Sequence, residues 1–186
     1  MRQILVLLRW SIPFWLVQFI TSALPDNRYT IRLRGLLSKP FIGKCGSGFT
    51  LASGVTINYP NKLHLGSNVY LAKGVWLNAI GGIKLEDEVV LGPYVVISSL
   101  QHTFKNNSVK QGASIAAPVV VGYGSWLASH VSIKCGVKIG KGNLIAANAF
   151  VASNTQNNSI YGGVPARFIK ENKDSEGDIK SAADLL

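Results

Sequence analysis

Acidic residues, cysteines and histidines are all scarce in this chain of 186 residues, which has nine Asp or Glu against nineteen Lys or Arg, two Cys and three His. Cys45 and Cys135 lie far apart and form no C-x-x-C pair, which argues against a disulfide framework and against thiolate metal or redox chemistry. Both are expected to be reduced thiols. Charged residues make up only 15% of the chain and hydrophobic ones 47%, enough for one packed domain and too little length for two. The shortage of acid leaves a formal charge of +10, concentrated early: residues 1–44 hold seven Lys or Arg and the single acid Asp26. Such a front half suits anionic lipid, anionic glycan or a phosphorylated small molecule. Nucleic acid is not expected, because the basic residues form no dense cluster with interleaved aromatics and no reader motif is present.

An uninterrupted membrane-spanning run is also missing. The segment "ILVLLRWSIPFWLVQFITSAL", from Ile4 to Leu24, is apolar but broken by Arg9, Pro13 and Gln18, whereas a clean span needs about 20 apolar residues. Pro13 is expected to end or kink a helix near Ser11 and leave two short pieces. Trp10 and Trp15 are residue types that favour the lipid headgroup boundary. Three readings follow: an interfacial anchor through residues 4–24, a helical hairpin packed on protein, or a signal peptide ending at "TSA". The anchor fits best.

What the sequence has in abundance is a six-residue rhythm. Aliphatic residues open successive hexads at Leu65, Leu71 and Leu77, at Leu85, Leu91 and Ile97, at Val121, Leu127 and Ile133, and at Ile139, Ile145 and Val151. A second small or aliphatic residue follows four positions later, as at Val69, Val75, Val89, Val95, Val131, Val137 and Ala149. A period of six with two inward residues per hexad predicts an all-β parallel β-helix and excludes both the 3.6 period of a helix and simple strand alternation. Asn68, Gly74, Gly124, Gly136, Gly142, Asn148 and Asn154 occupy the third position after the opener, where the corner favours left-handed backbone geometry. Four triangular coils are expected, with a partial earlier one from Leu51. The rhythm stops once, between Ile97 and Val121, and His102 stands at the start of the break.

The stretch "VVVGYGSWLASHVSIKCGVKIGKGNLIAANAFVASN", followed by "SIYGGVPARFIK", resembles the hexapeptide-repeat O-acetyltransferases, the group that includes maltose, galactoside, xenobiotic, capsule and colanic-acid acetyltransferases. The likeness runs from about Leu65 to Lys170. It implies a left-handed β-helix, acetyl-CoA as donor, no metal, and a homotrimer whose active sites lie between neighbouring subunits. It aligns His102 with the family's general base. A sugar hydroxyl is too weakly acidic to attack a thioester unless its proton leaves as the bond forms, and imidazole titrates near neutrality. Asn78 aligns with an acceptor-side asparagine, although a corner residue of that type is equally natural. For CoA the resemblance points to Trp126, Ser129, Ala147, Arg167 and Lys170, the two cations suiting its phosphates. One departure stands out: Ala152-Ser153 replaces the Thr-Lys pair that many relatives carry after the last coil.

Two other histidines need no chemistry: His130 falls at a corner where positive φ is expected, and His64 is expected to face outward. A γ-class carbonic anhydrase shares the β-helix, but its zinc site uses an H-x4-H arrangement that the spacing of His64, His102 and His130 does not match. A scaffolding β-helix would need no long polar excursion. The expected organisation is an apolar, basic segment over residues 1–40, the acetyltransferase β-helix over 41–170 and a tail over 171–186. A lipid-linked or surface-polysaccharide precursor is the expected acceptor, because free sugars do not require an apolar N-terminus. The protein is then expected to be cytoplasmic and peripheral to the inner face of a bacterial cytoplasmic membrane. A cytosolic donor also counts against the signal-peptide reading.

Overall fold

The computed structural model describes residues 2–173; the remainder of the expected tail, 174–186, lies outside them. Three parallel sheets form the faces of a triangular prism built from five stacked coils. The first face stacks Lys44–Cys45, Leu63–Leu65, Ile83–Leu85, Val119–Val121 and Lys138–Ile139. The second stacks Thr50–Leu51, Tyr70–Leu71, Val90–Leu91, Trp126–Leu127 and Leu144–Ile145. The third stacks Thr56–Asn58, Trp76–Asn78, Val96–Ser98, Ser132–Ile133 and Phe150–Val151. The coil expected to begin in part at Leu51 is complete, because Lys44–Cys45 pairs with His64–Leu65 and supplies its first side. That side escapes the aliphatic pattern because Cys45 occupies the opener's place.

The register places every hexad opener inward. Leu71, Leu77, Leu85, Leu91, Ile97, Val121, Leu127, Ile139 and Ile145 are fully buried, and Val69, Val75, Val89, Val95 and Val131 fill the second inward position. Each such side chain contributes about 1.5–3 kcal/mol on removal from water. Corners turn through left-handed residues at Asn68, Gly74, Gly124, Gly136, Gly142 and Asn148, and also at Glu88, Tyr94 and His130. Asn154 departs from this expectation. Its Oδ1 instead accepts from the Lys138 N–H at 2.8 Å, which ties the end of the last coil to the side below. Stacking is close at the position after each opener: a Cβ on Gly122 would lie 2.7 Å from the Lys141 nitrogen.

The N-terminus is one helical run rather than two pieces. Helices α1 (Arg2–Val6) and α2 (Ile12–Thr21) are joined without a break by a π-turn over Leu7–Ser11. Pro13 lacks an N–H and would crowd the carbonyl four residues back, and the wider turn just before it absorbs that conflict. Helix α3 (Arg28–Ser38) follows, opened by a reciprocal cap between Asn27 and Thr30. Gly35 lies so close to the Phe49 carbonyl that a Cβ would overlap it, so α3 lies directly on the first coil.

A buried cation fixes this junction. Arg34 is wholly buried; its guanidinium pairs with Asp26 at 2.9 Å and donates to the Thr21 hydroxyl and to the Thr21 and Leu51 carbonyls. Asp26 also accepts from the Ser53 N–H and hydroxyl. Burial pushes the Asp26 carboxyl up, but the Ser53 hydrogen bonds and the Arg34 charge outweigh it and hold the group below its ordinary value.

Candidate active site

The break in the rhythm is a β-hairpin. Leu100–His102 pairs antiparallel with Ser114–Ala116, and the arms continue through the Thr103 N–H and hydroxyl, both donating to the Ala113 carbonyl at 2.9 and 2.8 Å. The tip is a two-residue turn in which Asn106 and Asn107 both take positive φ, closed by reciprocal backbone bonds between Lys105 and Ser108. That geometry matches the twist of paired strands, and asparagine tolerates it. The hairpin leaves the prism at the corner between the third and first faces.

Its root is fastened to the coil below. Ser99 is fully buried; its hydroxyl donates to the Asn78 carbonyl at 2.6 Å and accepts from the Gly81 N–H at 2.8 Å. The Ser99 N–H donates to the same Asn78 carbonyl, and the Ser99 carbonyl accepts from Ala117 where the hairpin returns. Asn78 and the exit and return of the hairpin are thus held as one unit. Asn78 is half-buried at the end of its strand, stacked between Asn58 and Ser98. His102 is exposed on the hairpin, with Nδ1 3.1 Å from the Ser114 hydroxyl. Cys135 lies beneath the returning arm, its Sγ 3.6 Å from the Ala117 carbonyl.

The second set of expected residues occupies another edge. Ser129 and Ala147 sit at the corner between the second and third faces, one coil above the other, where the Ser129 carbonyl accepts from the Asn148 N–H at 3.0 Å. The closing segment folds back as an antiparallel pair, Ser159–Gly163 with Ala166–Glu171, on top of the second face. This pairing sets Arg167 opposite Gly162, which packs against Ala146 at the same corner. Trp126 is half-exposed on the adjoining second face, and Lys170 pairs with Ile160 at the outer end of the hairpin. No hydrogen bond among the described residues joins this edge to the His102 corner.

The comparisons with known proteins divide by what they carry. No protein-family profile matches the chain. A protein of Escherichia coli K12 provisionally named colanic acid biosynthesis acetyltransferase WcaF is 32% identical over 167 residues, covering 88% of this chain and 87% of its own. The galactoside O-acetyltransferase of the same organism is 27% identical over 146 residues, covering 78% of this chain and 72% of its own. The chain belongs to the hexapeptide-repeat acetyltransferase family. Among solved structures, a maltose O-acetyltransferase from Clostridium difficile superposes with a TM-score of 0.79 at 21% identity, covering 91% of this chain and 89% of its own. A galactoside acetyltransferase in complex with coenzyme A gives 0.78 at 22%, covering 91% and 88%. These two likenesses establish the fold of the family, a left-handed β-helix; the acyltransferase class of this member follows from its membership.

The remaining histidines and Cys45 play structural parts, His130 at the Ser129 corner itself. His130 takes the positive φ expected at its corner and stacks on Tyr94 at 5.1 Å between ring centroids, and His64 is exposed. Burial pushes the Cys45 thiol up to about 11, so at neutral pH it remains protonated and unreactive. No three His, Cys, Asp or Glu gather into a metal-holding group among the described residues. Sequence reasoning did not single out Ser99 or Ser114. Neither belongs to a motif, and each acquires its partners only through stacking or hairpin register.

Proposed function

We propose that this protein transfers an acetyl group from acetyl-CoA to a sugar hydroxyl of a surface-polysaccharide or lipid-linked glycan precursor, with His102 as general base. The observation that carries this reading is the hairpin, which interrupts the coil stack and presents His102 on a braced root beside Asn78. The 32% identical relative's provisional name supports a polysaccharide acceptor. The imidazole Nε2 takes the hydroxyl proton as the oxygen bonds to the thioester carbonyl carbon. Collapse of the tetrahedral intermediate breaks the C–S bond, and the departing CoA thiolate recovers the proton from the imidazolium. Asn78 is assigned to acceptor binding.

Trp126, Ser129, Ala147, Arg167 and Lys170 are assigned to CoA. Backbone groups at the Ser129 and Ala147 corner suit the pantetheine amides, and the two cations suit the phosphates. Because this edge and the His102 corner are different edges of one prism, a homotrimer with sites between subunits is the arrangement that unites them. Mixing the His102→Ala and Arg167→Glu proteins before assembly tests it. About a quarter of the sites should then be intact if each is shared between two subunits, and none if each lies within one chain.

Membrane contact belongs to the same proposal. Ile4–Thr21 is long and apolar enough to cross a membrane, with a mean hydropathy of 1.7. However, Phe14 and Thr21 are buried against the protein, and Arg34 holds the Thr21 end on the first coil, so the helix lies along the molecule. Ile4, Leu5, Leu8, Trp15, Phe19 and Ile20 remain exposed on it, while Arg9 turns back over Trp10 and Phe41. That disposition supports the interface over a span, and we assign the enzyme to the cytoplasmic face of a membrane, where acetyl-CoA is found.

Transfer of labelled acetyl from acetyl-CoA into fractionated glycans tests the chemistry. The His102→Ala protein should lose activity by about 10²- to 10⁴-fold, and full activity in that variant overturns the assignment.

A further inference from the structure

The reading of His102 as base leaves open what fixes its ring, and the hairpin register supplies an answer. His102 and Ser114 are directly opposite each other in the antiparallel pair, twelve positions apart in sequence and on the same face of the hairpin. Opposed side chains on one face of such a pair approach to about 5 Å between Cβ atoms. The Ser114 hydroxyl reaches His102 Nδ1 at 3.1 Å, and among the described residues it is the hydrogen-bond partner of that ring. We propose that Ser114 is the positioning residue of the catalytic base: its oxygen accepts from Nδ1–H, which selects the tautomer with a free lone pair on Nε2 and aims that nitrogen at the acceptor.

The chemistry requires this direction of donation. A base that takes a proton at Nε2 must enter the step with Nε2 bare and Nδ1 protonated. The Nδ1–H to Oγ bond then persists unchanged when the ring becomes imidazolium, so the ring need not turn between taking the proton and returning it to the thiolate. The serine is exposed, so its own O–H is free to donate to solvent.

The hairpin is built to hold this pair in register. The Thr103 bonds to Ala113 lie one residue beyond it and continue the same register. Gly112 packs so tightly on the Thr103 carbonyl that a Cβ there would overlap it. A slip by one residue would turn Ser114 to the opposite face.

The inference rests on His102 acting as base, and one set of variants separates the two claims. In the full-length protein, Ser114→Ala should lower kcat about ten- to hundred-fold, the scale expected when a reacting group is mis-aimed, with KM for acetyl-CoA within about twofold. Ser114→Thr should restore most of the loss because it keeps the oxygen. Ring ¹⁵N resonances of His102 in the resting enzyme should report Nδ1–H in the wild type and a shift toward the Nε2–H form in Ser114→Ala. A structural role alone would not move that signature. If His102→Ala is inactive while Ser114→Ala keeps wild-type kcat, or Ser114→Thr fails as badly as alanine, or the ring resonances do not change, the inference falls and the base assignment stands. If His102→Ala is fully active, the base assignment itself falls.

Discussion

The coil stack and the N-terminal helices draw on the same aliphatic residues and dispose of them in opposite ways. In the coils Leu71, Leu91 and Leu127 have no exposure at all, whereas on the helical run Leu5, Leu8, Phe19 and Ile20 are 58–72% exposed. The coils bury theirs because each hexad sends two side chains inward and the next coil covers them. The helix contacts the protein along one side, through Arg9, Phe14 and Thr21, and much of the rest of its surface is exposed. Hydrophobicity alone therefore does not mark a core in this protein. Period does, and apolar sequence without a matching period marks a contact surface.

Four measurements would break or sharpen that contrast. The largest effects should come from the places where burial is complete. Leu91→Ala should cost about 2–5 kcal/mol in urea unfolding, through lost burial and the cavity it leaves. Arg34→Ala should cost about 3 kcal/mol, because it leaves Asp26 unpaired at the junction. On the helix, by contrast, Phe19→Ser with Ile20→Ser should leave stability within about 0.5 kcal/mol. It should nevertheless weaken sedimentation with anionic vesicles roughly ten- to hundred-fold. Wild-type protein that stays in the supernatant would remove the membrane from the proposal.

Smaller effects follow from the junction and the corners. The Asp26 carboxyl is held below its ordinary value of 3.8, so its contribution is fully present above that pH and is lost as the pH falls through the lowered folded value. Fluorescence of Trp10 and Trp15 should therefore report loosening of the helices in acid, and Asp26→Asn should abolish that pH dependence. At Gly124, φ is +63° and a Cβ added there would meet nothing within 4 Å. Gly124→Ala should thus cost about 1 kcal/mol from backbone conformation alone, read as a small fall in melting temperature.

Much of the fold could be read from the chain because its governing interaction is periodic. The openers from Leu65 to Val151, the outward His64 and the positive φ of His130 all follow from position within a hexad. The first side of the first coil did not follow, since Cys45 carries no aliphatic signal. Glu88 and Tyr94 were equally opaque as left-handed corners, because neither type favours that geometry and the stacked coils impose it. Arg34 read as one more cation of a basic front half. Only the meeting of α3, Thr21 and Leu51 makes it a buried tie. At the candidate site, the location of His102 at a break was legible, and so was a return of the rhythm at Val121. The Ser114 contact was not, because it depends on which residues face each other after the chain has doubled back.

The coils keep a constant six residues from one opener to the next along the first two corners and vary only at the third. From Ile57 to Leu65 and from Leu77 to Leu85 the step is eight, from Ile97 to Val121 it is twenty-four, and from Ile133 to Ile139 it returns to six. All the length variation in the stack is thus confined to one edge, where added chain projects outward without disturbing the pairing of any face. That edge behaves as a socket. Exchanging residues 103–113 for another excursion of different length is the modification this architecture should accept most readily, because the Ser99 and Ala117 fastening and the pairing of all three faces lie outside it.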